Sequence, residues 1–119
     1  MKTVLVAEDN AVNRELITEM LETLGYQVLQ ACDGKEALEQ LAAQLPEVVL
    51  LDLQMPCMDG RETIRHIRQN PSWRYLPVIA CTAFAMQGDR EEILSLSFNG
   101  YISKPVSITK LMAVLQKVS

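Results

Sequence analysis

Short apolar runs alternate along the chain with longer segments in which apolar residues recur at helical spacing. Runs of four to six such residues are typical of strands buried on both faces, and the segments between them are typical of helices that cover a sheet. Because a helix follows each run, the pattern predicts an α/β protein with a doubly wound parallel sheet. The predicted strands are Thr3–Ala7, Gln27–Ala31, Val48–Leu53, Val78–Thr82 and Gly100–Ser103.

Five helices are predicted from apolar stripes at the helical period. Their predicted spans are about Ala11–Leu24, Gly34–Gln44, Arg61–Gln69, Asp89–Leu96 and Ser107–Val118. The residues predicted to face the sheet are Leu16, Ile17, Met20, Leu21 and Leu24 in the first helix, Ala37, Leu38, Leu41 and Ala42 in the second, and Ile108, Leu111, Met112 and Leu115 in the fifth.

Polar residues mark the predicted helix ends. Asn10, Asp33 and Asp59 precede helical segments and are suitable N-caps, and Glu36 lies at capping-box spacing from Asp33. Gly25 suits the left-handed position that follows a helix.

Composition excludes several classes of protein. The 119 residues suit one domain, and no apolar stretch is long enough to span a membrane. A net charge of −4 without a block of Lys or Arg argues against direct nucleic-acid binding. Cys32, Cys57 and Cys81 form no CxxC pair, which favours free thiols in a cytoplasmic protein over a disulfide framework or a zinc site. Only Cys57 falls in a loop near the polar residues described next.

Polar residues follow four of the apolar runs. Glu8 and Asp9 follow the first, Asp52 ends the third, Thr82 ends the fourth, and Lys104 follows the fifth. Carboxyl ends of parallel strands meet at one edge of a sheet, where open α/β proteins bind ligands. The sequence therefore predicts a pocket with three carboxylates, a hydroxyl and an ammonium.

Three carboxylates in one pocket predict a bound cation. Two of them at about 5 Å repel by roughly 3 kcal/mol in an effective dielectric near 20. Mg²⁺ suits the set, because it binds through one or two carboxylates together with phosphate, and a carbonyl in the loop at Gln54–Gly60 would add a ligand. Asp52 is then a candidate nucleophile, since a carboxylate can form an aspartyl phosphate.

Ordinary structural roles compete with these assignments. An acid after a strand can begin a solvated turn or cap a helix, Thr82 can be a strand residue with its hydroxyl satisfied by backbone, and a lysine is most often exposed. The Lys104–Pro105 bond is a candidate for the cis form, which X-Pro bonds adopt at low cost and which would turn the lysine inward. Each signal is weak alone, whereas their order and placement together are specific.

In this order the residues resemble the receiver domain of two-component response regulators. The matching pieces are Val6–Asn10, Leu51–Pro56, Met58–Gly60, Thr82–Ala83 and Tyr101–Pro105. The resemblance covers essentially the whole chain and implies a flavodoxin-like sheet with strand order 2-1-3-4-5. We expect no output domain after Ser119, since the likeness is to stand-alone regulators of the DivK type or to receivers of hybrid histidine kinases. We therefore expect a single receiver domain over residues 1–119, either stand-alone or excised from a longer protein.

The resemblance also implies roles for individual residues. Asp52 resembles the phosphoacceptor, and the implied Mg²⁺ ligands are Glu8, Asp9, Asp52 and the backbone carbonyl of Gln54. Thr82 and Lys104 resemble the residues that engage the phosphoryl group, and Tyr101 resembles the aromatic switch that follows Thr82.

The resemblance further implies partners. The phosphoryl donor would be a phosphohistidine on a sensor histidine kinase or a phosphotransfer protein. A downstream protein would bind the face formed by the fourth helix, the fifth strand and the fifth helix. Phe84 and Met86 precede that face, where plain core packing is an equally good interpretation. As a hypothesis, Phe84 and Gln54 flank the phosphoryl group and set how fast water reaches it.

One residue departs from the family pattern. Ser97 stands where the family usually has the glycine that ends the fourth helix, and a left-handed Ser costs on the order of 1 kcal/mol. We expect either a strained Ser97 or a helix that ends early, with Asn99–Gly100 forming the turn.

Two other classes compete with the receiver. A hydrolase with an Asp nucleophile needs a second acid two residues later as its general acid, and Gln54 cannot fill that role. A pseudo-receiver used only for docking does not require the complete set of acids, Thr82 and Lys104. His66, the only histidine, is predicted to lie on the surface rather than to donate a phosphoryl group, and Trp73 to cover an edge of the core.

Overall fold

The structure of the chain, a computed structural model, describes residues 2–83 and 87–118, with the backbone alone for residues 87–90. Five strands alternate with five helices. The strands are β1 (Thr3–Ala7), β2 (Gln27–Ala31), β3 (Val48–Asp52), β4 (Val78–Thr82) and β5 (Gly100–Ser103). The helices are α1 (Ala11–Thr23), α2 (Gly34–Ala43), α3 (Gly60–Gln69), α4 (Gln87–Ser95) and α5 (Ile108–Val118). Every predicted element is present, with bounds that differ by two residues at most.

All strand pairs are parallel, and the strand order is β2-β1-β3-β4-β5. This confirms the predicted doubly wound sheet. All residues of β1, β3 and β4 are buried, which explains their continuous apolar runs. Strand order reverses between β1 and β3, so the residues that follow these two strands flank the crevice in which doubly wound sheets bind ligands.

The sheet separates two hydrophobic cores. Successive side chains of a strand point to opposite faces, so Leu5 packs into one core while Val4 and Val6 pack into the other. The first core includes Ile64 and Ile67 of α3. Helices α1 and α5 cover the second core with residues such as Ile17, Leu21, Leu111 and Leu115.

The predicted inward faces of three helices each include one residue that is exposed. Leu16 and Met112 are 49% and 43% exposed, and Ala42 is also exposed. Consecutive helix residues lie about 100° apart. Leu16 directly precedes the buried Ile17, whereas Ala42 and Met112 directly follow the buried Leu41 and Leu111. All three fall outside the buried arc of their helices.

Helix ends follow the predicted chemistry. The side chains of Asn10, Asp33 and Asp59 accept backbone N–H groups in the first turns of α1, α2 and α3. Gly25 has φ +91°. In a capping box the Glu36 side chain would accept the N–H of the N-cap residue, Asp33. Its carboxylate instead accepts the N–H and the thiol of Cys32, the residue before the cap.

Ser97 is left-handed, with φ 73°, and α4 ends at Ser95. This confirms the expected strain at the position where the family has glycine. The Ser97 carbonyl accepts two hydrogen bonds from Arg68, from Nε at 3.1 Å and from Nη2 at 2.8 Å. The same guanidinium donates to the carbonyls of Arg74 and Leu76 and to the Asn99 side chain. We call this group, at the amino edge of the sheet, the Arg68 cluster.

The remaining single-residue predictions concern the surface. His66 is exposed, and Trp73 is half-buried against the first core, as predicted. Cys32 and Cys57 are exposed and Cys81 is buried, all as free thiols. Phe84 and Met86 lie outside the described residues. No helix in the described part of the chain is long and apolar enough to cross a membrane.

Candidate functional site

Three carboxylates converge at the carboxyl edge of the sheet. One oxygen from each of Glu8, Asp9 and Asp52 lies within 4.8 Å of the others. Glu8 and Asp52 are only 2% and 3% exposed, whereas Asp9 is exposed. Parallel pairing places Ala7 beside Leu51, so the residues that follow the two strands are neighbours.

Lys104 supplies a positive charge to this cluster. Its Nζ lies 2.9 Å from Oδ2 of Asp52 and 3.1 Å from Oε1 of Glu8. Burial opposes its charge, but the hydrogen bonds and charges of the two carboxylates outweigh burial and raise the pKa of the ammonium. The Lys104–Pro105 peptide bond is cis, the isomer for which the X-Pro sequence made it a candidate. We call Glu8, Asp9, Asp52 and Lys104 the Lys104 cluster.

Glu8 is the least compensated member of the Lys104 cluster. Burial and the neighbouring Asp52 carboxylate raise the pKa of Glu8 to about 7, against the opposing effect of Lys104. Among the described residues, its Oε2 atom is buried without a hydrogen-bond partner. A buried, unpartnered carboxylate oxygen is costly. These oxygens therefore fit a hard divalent cation, which would supply the missing charge and the missing partner.

The loop between β3 and α3 fixes Asp52 from the other side. Oδ1 of Asp52 accepts the backbone N–H of Gln54 at 3.0 Å. A Cβ on Gly60 would lie 2.6 Å from the Asp52 carbonyl, so only glycine permits this close approach. Cys57 has φ 67° at the centre of a tight turn in which the Met58 N–H donates to the Pro56 carbonyl at 2.7 Å. The backbone therefore holds the loop close to the carboxylate.

Thr82 and Tyr101 lie on adjacent strands beside the acids. Thr82 is 2% exposed at the end of β4, and its carbonyl accepts the Lys104 N–H at 2.8 Å. Tyr101 is half-buried in β5 and packs against the first core. On the face formed by α4, β5 and α5, Leu94 is 53% exposed and lines a cavity together with Tyr101 and Val114. The face predicted to bind a partner thus exposes an apolar side chain.

Sequence reasoning missed Arg14. Its Nη1 donates to the Glu8 carbonyl at 2.7 Å. Arg14 lies three and four residues before the buried Ile17 and Thr18, on the same face of α1. A charged residue on the buried face of a helix is the feature of the sequence that could have indicated this role.

An apolar cavity on α1 adjoins the acids and was also missed. It measures about 370 Å³, and its lining combines Glu8 and Lys104 with apolar side chains such as Leu16, Met20 and Val106. The exposed Leu16, which breaks the predicted inward stripe, contributes to this lining.

Comparison with known proteins identifies the class of protein. Residues 4–116 match the family described as the response regulator receiver domain. The chain belongs to this family, whose members are the phosphoacceptor switches of two-component signalling systems. Receiver domains bind Mg²⁺ at an acidic site and interact with histidine kinases or phosphotransfer proteins and with downstream partners.

The chain is similar both to a stand-alone regulator and to the receiver domain of a histidine kinase. The polar-differentiation response regulator DivK of Brucella anthropi is 36% identical over 115 residues, which cover 97% of this chain and 94% of DivK. The receiver domain of sensor histidine kinase PA1611 from Pseudomonas aeruginosa is 39% identical, with a TM-score of 0.89 over 98% of this chain and 95% of that one. Its structure holds a magnesium ion in the active-site cleft. The chemotaxis protein CheY4 of Vibrio cholerae is 28% identical, with a TM-score of 0.93 over 100% of this chain and 99% of that one.

Proposed function

We propose that Asp52 is the phosphoacceptor of this receiver and that it takes its phosphoryl group from a phosphohistidine with Mg²⁺ bound at Glu8, Asp9, Asp52 and the Gln54 carbonyl. A carboxylate oxygen of Asp52 forms a bond to phosphorus while the bond from phosphorus to the donor imidazole breaks, and the bonding pair stays on the imidazole nitrogen. The observation that carries the proposal is the convergence of three carboxylates, two of which contact the Lys104 ammonium, with Oε2 of Glu8 unpartnered among the described residues.

The residues around Asp52 have distinct roles in this proposal. Bound Mg²⁺ would neutralise charge on the phosphoryl oxygens. Lys104, now hydrogen-bonded to Asp52 at 2.9 Å, would transfer that hydrogen bond to a phosphoryl oxygen. The Thr82 hydroxyl would donate to another oxygen. Charge-assisted hydrogen bonds of this kind are roughly twice as strong as neutral ones.

The output is a shift between two conformations of the domain. Thr82 moves toward the phosphoryl group, and Tyr101 follows it inward. This changes the surface formed by α4, β5 and α5, where a downstream protein binds. The exposed Leu94, which lines a cavity with residues of β5 and α5, supports this choice of surface.

We further propose a single receiver domain over residues 1–119 that works in the cytoplasm, free of membrane and nucleic acid. Its only catalysis is its own phosphorylation and dephosphorylation. The three free thiols support a reducing compartment. The net charge of −4 is unsuited to binding a polyanion.

Intact mass after incubation with acetyl phosphate and Mg²⁺ tests the assignment of Asp52. The wild type is expected to gain one phosphoryl group, and Asp52→Asn none. Asp59→Asn is a matched control, since Asp59 is an exposed aspartate of the same loop whose known contact is the cap of α3. A phosphoryl gain in Asp52→Asn that equals that of Asp59→Asn would refute the assignment.

The same assay separates the competing classes. Stoichiometric labelling supports a receiver, whereas repeated turnover of a phosphomonoester would indicate a hydrolase. Gln54 stands where the hydrolase needs an acid, and its side chain is exposed. Signalling that survives Asp52→Ala would instead indicate a pseudo-receiver.

A further inference from the structure

We propose that Arg14 is a positioning residue that holds the Glu8–Asp9 peptide in the geometry needed to bind the cation. This inference rests on the proposed metal site. Glu8 is the first residue beyond β1, and its backbone is held on both sides. Its N–H donates to the Ala31 carbonyl at 3.0 Å, and its carbonyl accepts Nη1 of Arg14 at 2.7 Å.

The second of these contacts replaces a sheet hydrogen bond. Paired residues of β1 end at Ala7, so the Glu8 carbonyl lies past the strand ladders. Arg14 supplies a charge-assisted donor to this carbonyl, which is stronger than a neutral one. The peptide between two metal-binding acids is therefore tied to α1, and both side chains start from a fixed backbone.

Arg14 is itself held in place. Its N–H donates to the Asn10 carbonyl in the first turn of α1, at 2.9 Å. Its carbonyl accepts the Thr18 hydroxyl at 2.7 Å, and that hydroxyl accepts Nε2 of Gln30 on β2 at 2.9 Å. The tether from Glu8 thus runs through α1 to the neighbouring strand, whose backbone also holds the Glu8 N–H.

A second observation places the Arg14 charge close to the loop after β2. The positive charge of Arg14 acts to lower the pKa of the Cys32 thiol, although the hydrogen bond to Glu36 raises that pKa overall. The guanidinium therefore lies near the loop that follows β2 as well as beside the Glu8 carbonyl.

Electrostatics and positioning predict opposite effects when Arg14 is removed. If Arg14 were only a nearby positive charge, its loss would strengthen the binding of a cation. If it positions the acids, its loss weakens binding, since partners that orient metal ligands typically account for 10- to 100-fold in affinity. The sign of the change therefore distinguishes the two roles.

The experiment measures Mg²⁺ affinity by isothermal titration calorimetry for the wild type, Arg14→Met and Arg14→Lys. We expect the dissociation constant of Arg14→Met to rise about tenfold, with Arg14→Lys in between because it keeps one charged donor. Arg65→Met, which removes an exposed arginine of α3, is the matched control and is expected to bind as the wild type does. The loss should persist in about 1 M salt, where the Debye length is about 3 Å.

A second readout does not depend on the metal. Without Mg²⁺, the backbone amides of Asp9 and Asn10 should exchange hydrogen faster in Arg14→Met than in Arg65→Met. If the methionine variant does not fold, Arg14→Gln replaces it, because a shorter neutral side chain also loses the contact. Equal or tighter Mg²⁺ binding in the neutral variant would overturn the inference. A wild type that binds no Mg²⁺ would instead refute the metal site proposed above.

Discussion

The Lys104 cluster and the Arg68 cluster lie at opposite edges of the same sheet and differ in how completely their polar groups are satisfied. Arg68 directs its donors to neutral acceptors, which are the carbonyls of Ser97, Arg74 and Leu76 and the side chain of Asn99. The Lys104 cluster has three carboxylates for one ammonium. Surplus negative charge fits a bound cation, whereas a saturated cluster stabilises the fold.

The two clusters also show different responses of charge to burial. Burial without a charged partner lowers the pKa of Arg68, while its hydrogen bonds join α3 to the backbone on either side of β4. In the Lys104 cluster, burial raises the pKa of Glu8 to about 7. Strongly perturbed acids in a cleft are more typical of functional sites than of structural ones.

Removing Lys104 should have the largest effect, which is a slower phosphorylation of the protein. In Lys104→Met the phosphoryl oxygens lose their ammonium, and loss of one such donor typically lowers a rate by about 10²–10³-fold. The rate of phosphorylation by acetyl phosphate, followed by intact mass, measures this. Lys117→Met, which removes an exposed lysine of α5, is the control. A rate within twofold of the control would show that Lys104 has no role in phosphoryl transfer.

Removing Arg68 should affect stability and leave the chemistry of the folded protein intact. Arg68→Met leaves several carbonyls without their donor, and we expect the free energy of unfolding to fall by about 2 kcal/mol. Urea denaturation, with Arg65→Met as control, measures the change. A slower phosphorylation of the fully folded variant would contradict the division of roles between the two clusters.

Mg²⁺ binding should weaken in acid because Glu8 must lose its proton to bind the metal. With its pKa at about 7, the affinity should fall about tenfold for each pH unit below 7. Titrations at several pH values measure the slope, and Asp9→Asn should keep it, whereas Glu8→Gln should lose it. A flat profile in the wild type would place the pKa of Glu8 well below 7.

The contribution of Glu8 to the free energy of unfolding changes with pH in the direction opposite to that of most carboxylates. Without metal, the pKa of Glu8 rises from 4.5 in the unfolded chain to about 7, so the folded state binds the extra proton. The free energy of unfolding should therefore decrease as pH rises from 4.5 to 7. Saturating Mg²⁺ should diminish this loss, and Glu8→Gln should abolish it.

Ser97→Gly should have the smallest effect, a small change in the free energy of unfolding. Glycine relieves the left-handed strain at φ 73° but raises the entropy of the unfolded chain. The net gain in the free energy of unfolding should be about 0.5 kcal/mol, measured by urea denaturation. Ser95→Gly, within the last turn of α4, should instead destabilise the protein. Destabilisation by Ser97→Gly would show that the strain is already compensated by Arg68.

The sequence predicted the strands well because continuous apolar runs leave few alternatives to buried parallel strands. It also placed Glu8, Asp52, Thr82 and Lys104 at one edge, since this follows from strand ends alone. The distances among them, and the burial of Glu8, depend on tertiary contacts between residues far apart in the chain.

The errors and omissions have a shared cause. Leu16, Ala42 and Met112 are apolar residues one position outside the buried arc, and a pattern of residue types does not set that boundary. The roles of Arg14 and Arg68 were not predicted because most of their acceptors are backbone carbonyls. A backbone carbonyl is present at every position, so the sequence does not indicate which one will lack a partner.

The separation of Glu8 and Lys104 in the chain has a consequence for biosynthesis. Their side chains are 96 residues apart in sequence and meet only after β5 has joined β4. Translation at about 5–20 residues per second therefore produces the acids several seconds before the lysine. Until then the nascent chain carries its carboxylates without their ammonium. The Lys104 cluster is thus completed only at the last step of sheet assembly, when β5 pairs with β4.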